Sequence, residues 1–346
     1  MLNTVPHHSS PEKRLVSPTE IQELPVKTVS CTPLETPYPK LPFPAKNMTD
    51  PSCLHHLGIS QVGRPFAFGS TATVFSCPSA DNPATNKAIK SVLLGNLDNF
   101  PAYFNEKLIA DSLHLTFSDS KLRKRFIPTE GWSLSGPDMS ALRLHFSMPM
   151  ACSTLENHPN RKAISKQEGI TLTKNLLTCL RSAIAKGFVP ADMNKGNLFF
   201  GEDGIMLGDF QKWGVVENSD ADKNLQSAAQ TIGQDAHYIA LKQQMKNHNL
   251  SKAAVYKKRA VANNVIDCQI NNLLRHLQGI THIKTDVTKL IKLARSSQVS
   301  DPIQYLDACL KYLDTLSDTQ YNSSHQQQRT WARLLQFTCW RAAQHT

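Results

Sequence analysis

Three side chains in one stretch of this sequence have the types and spacing that chemistry would need. Asp192-Met193-Asn194-Lys195-Gly196-Asn197 sets a carboxylate and an amide five residues apart, and Asp209 follows at the end of the apolar run Gly204-Ile205-Met206-Leu207-Gly208. Phosphoryl transfer uses this set: one carboxylate orients the attacking hydroxyl, while an amide and a second carboxylate hold the Mg²⁺ that bridges ATP phosphates. Asp and Asn are also common turn formers. The chemical reading therefore requires further parts upstream, in order.

Those parts are present. Ala67-Phe68-Gly69-Ser70-Thr71-Ala72-Thr73-Val74-Phe75 reads as strand, small-residue turn and strand. Small side chains at Gly69, Ser70, Thr71 and Ala72 let backbone N–H groups close over a triphosphate. The alternating run Lys87-Ala88-Ile89-Lys90-Ser91-Val92 predicts a strand from which Lys90 reaches phosphates. Phe104-Asn105-Glu106-Lys107-Leu108-Ile109-Ala110 predicts a helix that offers Glu106 to Lys90. Five pieces in this order resemble the protein-kinase family over residues 61–215.

The resemblance assigns roles position by position. Lys90 and Glu106 match the ion pair of an assembled site, Asp192 the catalytic-loop carboxylate, and Asn197 and Asp209 the two metal positions. Gly69 matches the middle glycine of the phosphate loop, with Ala67 and Ala72 where the outer glycines are usual. Val74 and Ala88 fall where the family contacts the nucleotide. Ser147-Met148-Pro149-Met150 resembles the hinge, so Met148 and Met150 would meet adenine. Asn194 stands where Ser/Thr kinases carry Lys, and Lys195, one place on, is the candidate for that charge. Pro190-Ala191 replaces His-Arg, Gln211 replaces the Gly of Asp-Phe-Gly, and no Ala-Pro-Glu follows. The missing Arg implies activity without a phosphorylated activation loop.

Other readings use the same residues. Each motif could be an ordinary turn, strand or helix. A kinase-shaped binding module of low activity is a second alternative, although Lys90, Asp192 and Asp209 are all kept. A phosphotransferase of the aminoglycoside or choline kinase type shares the Asp…Asn and later Asp, and Gly196-Asn197-Leu198 looks like that group. The small-residue loop at Gly69 favours the protein kinase.

The elements around the motifs follow from pattern. Residues 61–147 predict a small β-rich lobe that ends in the strand Ala141–Phe146. Residues 148–346 predict a helical lobe, beginning with a helix that places Leu176, Leu177, Leu180 and Ile184 on one face. Asp301-Pro302 opens another helix, lined by Ile303, Leu306, Leu310 and Leu313. The expected fold is thus α+β and bilobal, protein-kinase-like, with a C-terminal helical extension.

Composition restricts the setting. The 346 residues hold ten of their twenty prolines in the first sixty, which predicts an extended, flexible leader over 1–60. A mean hydropathy of −0.34 and the lack of any apolar run near 20 residues exclude a membrane helix. The first ten residues lack the apolar core of a signal peptide. Eight cysteines scattered without a C-x-x-C pair read as thiols of a reducing compartment, the cytoplasm. A kinase core behind a Pro/Ser/Thr-rich leader resembles bacterial effector kinases, which a specialised secretion system delivers into the host cytosol. That resemblance implies a host protein as substrate.

Charge is concentrated. Residues 241–300 carry eleven Lys/Arg against Asp267 and Asp286, and that excess of nine is nearly the whole chain's +10. A solvated helical face is the plain reading. The sharper one is a docking surface for an acidic partner, either an anionic lipid or, by resemblance to effector kinases, the ubiquitin-conjugation machinery. No aromatic–basic interleaving points to nucleic acid. The sequence predicts an ATP- and Mg²⁺-dependent, Ser/Thr-directed protein kinase.

Overall fold

A computed structural model describes residues 45–69, 71–118, 120–138, 140–157, 164, 166–201, 204–245, 250, 252–277 and 301–318. Ser70, most of the Pro-rich leader, and residues 246–249, 251 and 278–300 of the basic segment lie outside them. The described residues form an α+β structure with seven helices.

Alternating patterns produce the main sheet. Strands β1 (Arg64–Phe68), β2 (Ala72–Pro78), β3 (Asn86–Leu93), β4 (Gly131–Ser135) and β5 (Arg143–Pro149) pair antiparallel in the order β1-β2-β3-β5-β4. Cross-strand partners share a face, so the register Val74↔Lys90↔Phe146 fixes where Lys90 points. Ala88 and Met148 lie in the same row two residues away. The strand expected to end at Phe146 runs on to Pro149, because Ser147 and Met148 pair with Ile89 and Ala88. Met148 is therefore a strand residue, and Met150 is the first residue beyond it.

One face of this sheet meets helix α2 (Phe100–Thr116), the other meets helix α1 (Pro51–Leu57). Helix α1 corrects the expected leader: it lies within residues 45–60, which pack on the sheet rather than trail from it. Its ends follow a readable rule, Pro51 in the first turn and Gly58 left-handed at the C-cap. Cys53, Leu57 and Ile59 join Cys77 and Ile89 in a small core. The approach is so close that a Cβ on Gly131 would meet the His56 carbonyl at 2.2 Å, so only glycine fits there.

Helix α2 is buried on nearly every side, with Phe100 and Phe104 stacked at 4.6 Å and Phe104 edge-on to Trp132 at 4.9 Å. A helix this enclosed must give its buried polar side chains partners. Lys107 bonds Asp111 and the Thr129 carbonyl, and Ser112 donates to the Ala221 carbonyl. Asn105 and Glu106 turn toward the site described below.

Next come a short strand β6 (Ser153–Thr154), helix α3 (Lys166–Ala185), strand β7 (Phe188–Val189), and the hairpin β8 (Leu198–Gly201) with β9 (Gly204–Leu207). Leu176, Leu177, Leu180 and Ile184 of α3 are all buried, as their spacing predicts. Strand β10 (Gly214–Val216) lies between β7 and a parallel β11 (Val255–Tyr256). Helices α4 (Asp220–Gly233), α5 (Ala236–Lys242), α6 (Arg259–Leu277) and α7 (Pro302–Asp318) complete the described chain. Helix α7 packs on α3 through the ion pairs Arg181–Asp307 and Lys174–Asp314.

The basic segment is more than a charged face where it is described. Ile266, Ile270, Leu273, Leu274 and Leu277 of α6 are fully buried, and Val255 and Tyr256 pair with β10. The Arg259 guanidinium donates to the Ile184 carbonyl at 2.9 Å, a cation at the C-terminal end of α3. Residues 255–277 therefore belong to the packed helical part, and Arg259 in particular is a structural contact.

Candidate active site

Two loops and two buried elements converge on one charged cluster. Lys90 of β3 reaches Glu106 of α2 at 2.7 Å and Asp209 at 2.9 Å, with its side chain 13% exposed and that of Glu106 4%. Burial pulls the Lys90 ammonium toward neutrality, yet the two carboxylates outweigh it and hold its pKa above the ordinary lysine range. Burial pushes the Glu106 carboxyl up, with Lys90 opposing and Asp209 adding to the rise. One cation thus serves two carboxylates.

The hairpin brings the second half of the site to the same place. Leu198 pairs with Leu207, so the residues just outside the pair face each other, and the Gly208 N–H donates to the Asn197 carbonyl at 3.2 Å. Asn197 and Asp209 therefore share one end of the β8–β9 hairpin. The Asn197 amide also donates to the Asp192 carbonyl at 2.9 Å and closes the turn over residues 192–197. Asp192 and Asp209 both sit at φ 56°, in the left-handed region that non-glycine residues seldom adopt. Non-glycine strain of this kind gathers where a side chain must be aimed.

Asp192 is held by two donors. Asn194 Nδ2 reaches its Oδ1 at 3.1 Å, and Lys212 Nζ reaches its Oδ2 at 2.8 Å. The Lys212 bond, with lesser help from Asn194, keeps this carboxyl below the usual range despite partial burial. Lys195 turns elsewhere and pairs with Glu156 at 2.6 Å. The expected charge beside Asp192 is thus present but comes from a different lysine. Lys212 lies in the short 3₁₀ turn Phe210–Lys212 that follows Asp209. Its neighbours are anchored from α2: the buried Asn105 donates to the carbonyls of Gln211 at 2.7 Å and Trp213 at 3.1 Å. Phe210 is buried against Trp213 and Phe126.

The phosphate-loop candidates form the expected strand–turn–strand. Gly69 N–H donates to the Ala72 carbonyl at 2.8 Å, tightening the turn between β1 and β2, with Thr71 inside it and Ser70 outside the described residues. Val74 is half-buried and Ala88 buried, in rows on the Lys90 face, and Met150 is exposed. The structure brings together Lys90, Glu106, Asp192, Asn197 and Asp209, and leaves Lys195 out. Sequence reasoning missed Lys212 and Asn105, whose signals were adjacency alone: Asn105 next to Glu106, Lys212 three after Asp209.

Asn197 and Asp209 offer amide and carboxylate oxygen, the hard donors that Mg²⁺ prefers. Among the described residues no group of three His, Cys, Asp or Glu forms a metal cage. Mg²⁺ in nucleotide sites needs none, because water and phosphate fill the remaining positions. The donor set fits the ion. No protein-family model and no curated protein matches this chain.

Proposed function

We propose that this chain is an ATP-dependent protein kinase of bilobal, kinase-like fold. The observation that carries the proposal is the Lys90 ammonium shared between Glu106 and Asp209, with Asp192 and Asn197 at the same end of the neighbouring hairpin. A buried lysine between two carboxylates gains little as a structural device, since such pairs seldom repay their desolvation. It is well placed to exchange one carboxylate contact for phosphate oxygens when nucleotide enters.

Each residue then has a task. Lys90, held by Glu106, binds the α and β phosphates. The N–H groups of the turn at Gly69 cover the triphosphate. Val74, Ala88, Met148 and Met150 line the nucleotide side of the sheet. Asn197 and Asp209 would hold Mg²⁺, which offsets phosphate charge when bound. Asp192 orients the acceptor hydroxyl and takes its proton. Catalysis here is positioning and electrostatics, as phosphoryl transfer allows.

Ten residues separate Asp209 from α4, and they hold a 3₁₀ turn, strand β10 and the helix cap Ser219. A segment this short and paired leaves no loop for a phosphate to order, which supports activity without prior phosphorylation. The same brevity favours one second reading, a small-molecule phosphotransferase, because little chain is left to grip an extended peptide. Delivery into a host cell rests on the leader, most of which lies outside the described residues. The acidic-partner reading rests on the eleven basic residues of 241–300, of which Lys242, Lys252, Lys257, Lys258, Arg259 and Arg275 are described and Arg259 is a structural contact.

Incubation with Mg²⁺ and γ-labelled ATP tests the proposal, with casein and myelin basic protein as protein acceptors and kanamycin and choline as small ones. Label on protein, lost in Asp209→Ala, is the expected result. Label on a small acceptor alone moves the assignment to the second reading, and no transfer or hydrolysis at all overturns both.

A further inference from the structure

The charge nearest the acceptor side of the site comes from an unexpected place. Asn194 cannot supply it: its amide bends back to Asp192 and its Oδ1 accepts the Gly196 N–H at 2.9 Å, so both ends staple the loop. Lys195 is committed to Glu156. Lys212 instead places its ammonium 2.8 Å from Asp192 Oδ2, with 64% of its side chain exposed against 35% for Asp192. An ion pair this exposed adds little to stability, and its ammonium is free to shift by an ångström or two. Its backbone is not free. Asn105 fixes the carbonyls on either side of Lys212, and Trp213 N–H closes the 3₁₀ turn onto the Phe210 carbonyl. A held backbone with a mobile cation at its tip is suited to following charge that moves during a reaction.

We propose that Lys212 is the residue that contacts the transferred phosphoryl group, the cation that the catalytic loop does not itself provide. The inference rests on the kinase reading of the same site. In the step, the acceptor oxygen bonds the γ-phosphorus as the bond to the β-bridging oxygen breaks. ADP leaves with that electron pair, the acceptor proton passes to Asp192, and Lys212 keeps its protons throughout. As substrate displaces Lys212 from Asp192 Oδ2, its ammonium turns to the equatorial oxygens, where negative charge is spread in the transition state. Helix α2 thereby places both cations of the site, Lys90 through Glu106 and Lys212 through Asn105.

The experiment compares wild type with Lys212→Met, Lys212→Gln and Lys212→Arg in kcat, in KM for ATP, and in equilibrium affinity for ADP with and without aluminium fluoride, which mimics the transferring group. Lys212→Met and Lys212→Gln should each lose about a hundredfold in kcat, the scale for one preorganised charge. KM for ATP and ADP affinity should stay within about threefold of wild type, while the extra affinity conferred by aluminium fluoride disappears. Lys212→Arg should recover at least about a tenth of wild-type kcat, since a cation remains. If wild type transfers phosphate and either neutral variant retains kcat within twofold, or keeps the aluminium fluoride increment, Lys212 does not touch the phosphoryl group and the kinase reading stands without it. If wild type neither transfers phosphate nor binds ADP, the kinase reading fails and takes this role of Lys212 with it.

Discussion

The two faces of the five-stranded sheet both bury polar side chains, and they do so in opposite ways. On the α2 face Lys90 is charged and shared between two carboxylates. On the α1 face lies a neutral row: Ser91, His145 and Ser133 stand in register across β3, β5 and β4, with Ser147 and Ser135 beside them, all buried. His145 Nε2 meets Ser135 Oγ at 2.7 Å, while its Nδ1 and Ser147 Oγ find no partner among the described residues. Burial, reinforced by the nearby Arg143, pushes the His145 pKa down to about 3 and keeps the ring neutral. Buried polarity alone therefore does not mark a site. What separates the faces is charge retained at a cost, facing a loop whose backbone is strained at Asp192 and Asp209.

Removing a charge from the α2 face should have the largest effect. Asp209→Ala deletes the proposed metal donor and one of Lys90's partners, and phosphoryl transfer should fall about a thousandfold or more, roughly 4 kcal/mol of barrier. Circular dichroism should show the fold kept, because Asp209 is not part of the core. Turnover of Asp209→Ala near the wild-type rate would erase the distinction between the faces. Glu106→Gln comes next. Lys90 keeps Asp209 but loses the charge of its α2 partner, and kcat should fall about a hundredfold. A rate within threefold of wild type would make the Lys90–Glu106 pair a structural contact like those behind the sheet.

The α1 face should answer to pH rather than to turnover assays. The folded state holds His145 neutral to about pH 3, whereas the unfolded chain binds the proton near 6.5. Stability from this group is complete above pH 6.5. It drains as pH falls toward 3, with a limiting slope of about 1.4 kcal/mol per pH unit. Urea titrations at pH 7, 6, 5 and 4 should show that slope, and His145→Gln should flatten it while leaving kcat at pH 7 within about twofold. A slope unchanged in the variant would place the acid sensitivity elsewhere.

Asn105 tests how the α2 face holds the turn that carries Lys212. Asn105→Ala leaves the carbonyls of Gln211 and Trp213 without this donor, and a buried hydrogen bond of that kind is worth about 1–2 kcal/mol of stability. Because the turn that carries Lys212 loosens, kcat should drop about tenfold. A variant that loses stability with kcat unchanged would show that the tether serves the fold alone.

Much of this was legible in the chain. The α+β character, strand β3 with Lys90, helix α2 with Glu106, the apolar stripe of α3 and the helix opening at Pro302 all follow from periodicity and end signals. Those are local properties, set by side-chain spacing and capping within a few residues. The expected leader was too long because proline-rich composition masked the Pro51…Gly58 helix ends, and the strand before Met150 was too short because residues 147–150 resemble the hinge, although Ser147, Met148 and Pro149 still pair with β3.

The sequence by itself determined which residue types were available for phosphoryl transfer and in what order, since a carboxylate, an amide and a lysine keep their chemistry wherever the chain carries them. Only the tertiary structure decided which of them meet. Lys195 is three residues from Asp192 and Lys212 is twenty, yet Lys212 holds the carboxylate and Lys195 bonds Glu156. A lysine stem is long and flexible, so nearness in sequence does not choose its partner. The hairpin register that sets Asn197 beside Gly208, the left-handed turns at Asp192 and Asp209, and the Asn105 tether aim the backbone, and contacts between segments a hundred residues apart made that choice.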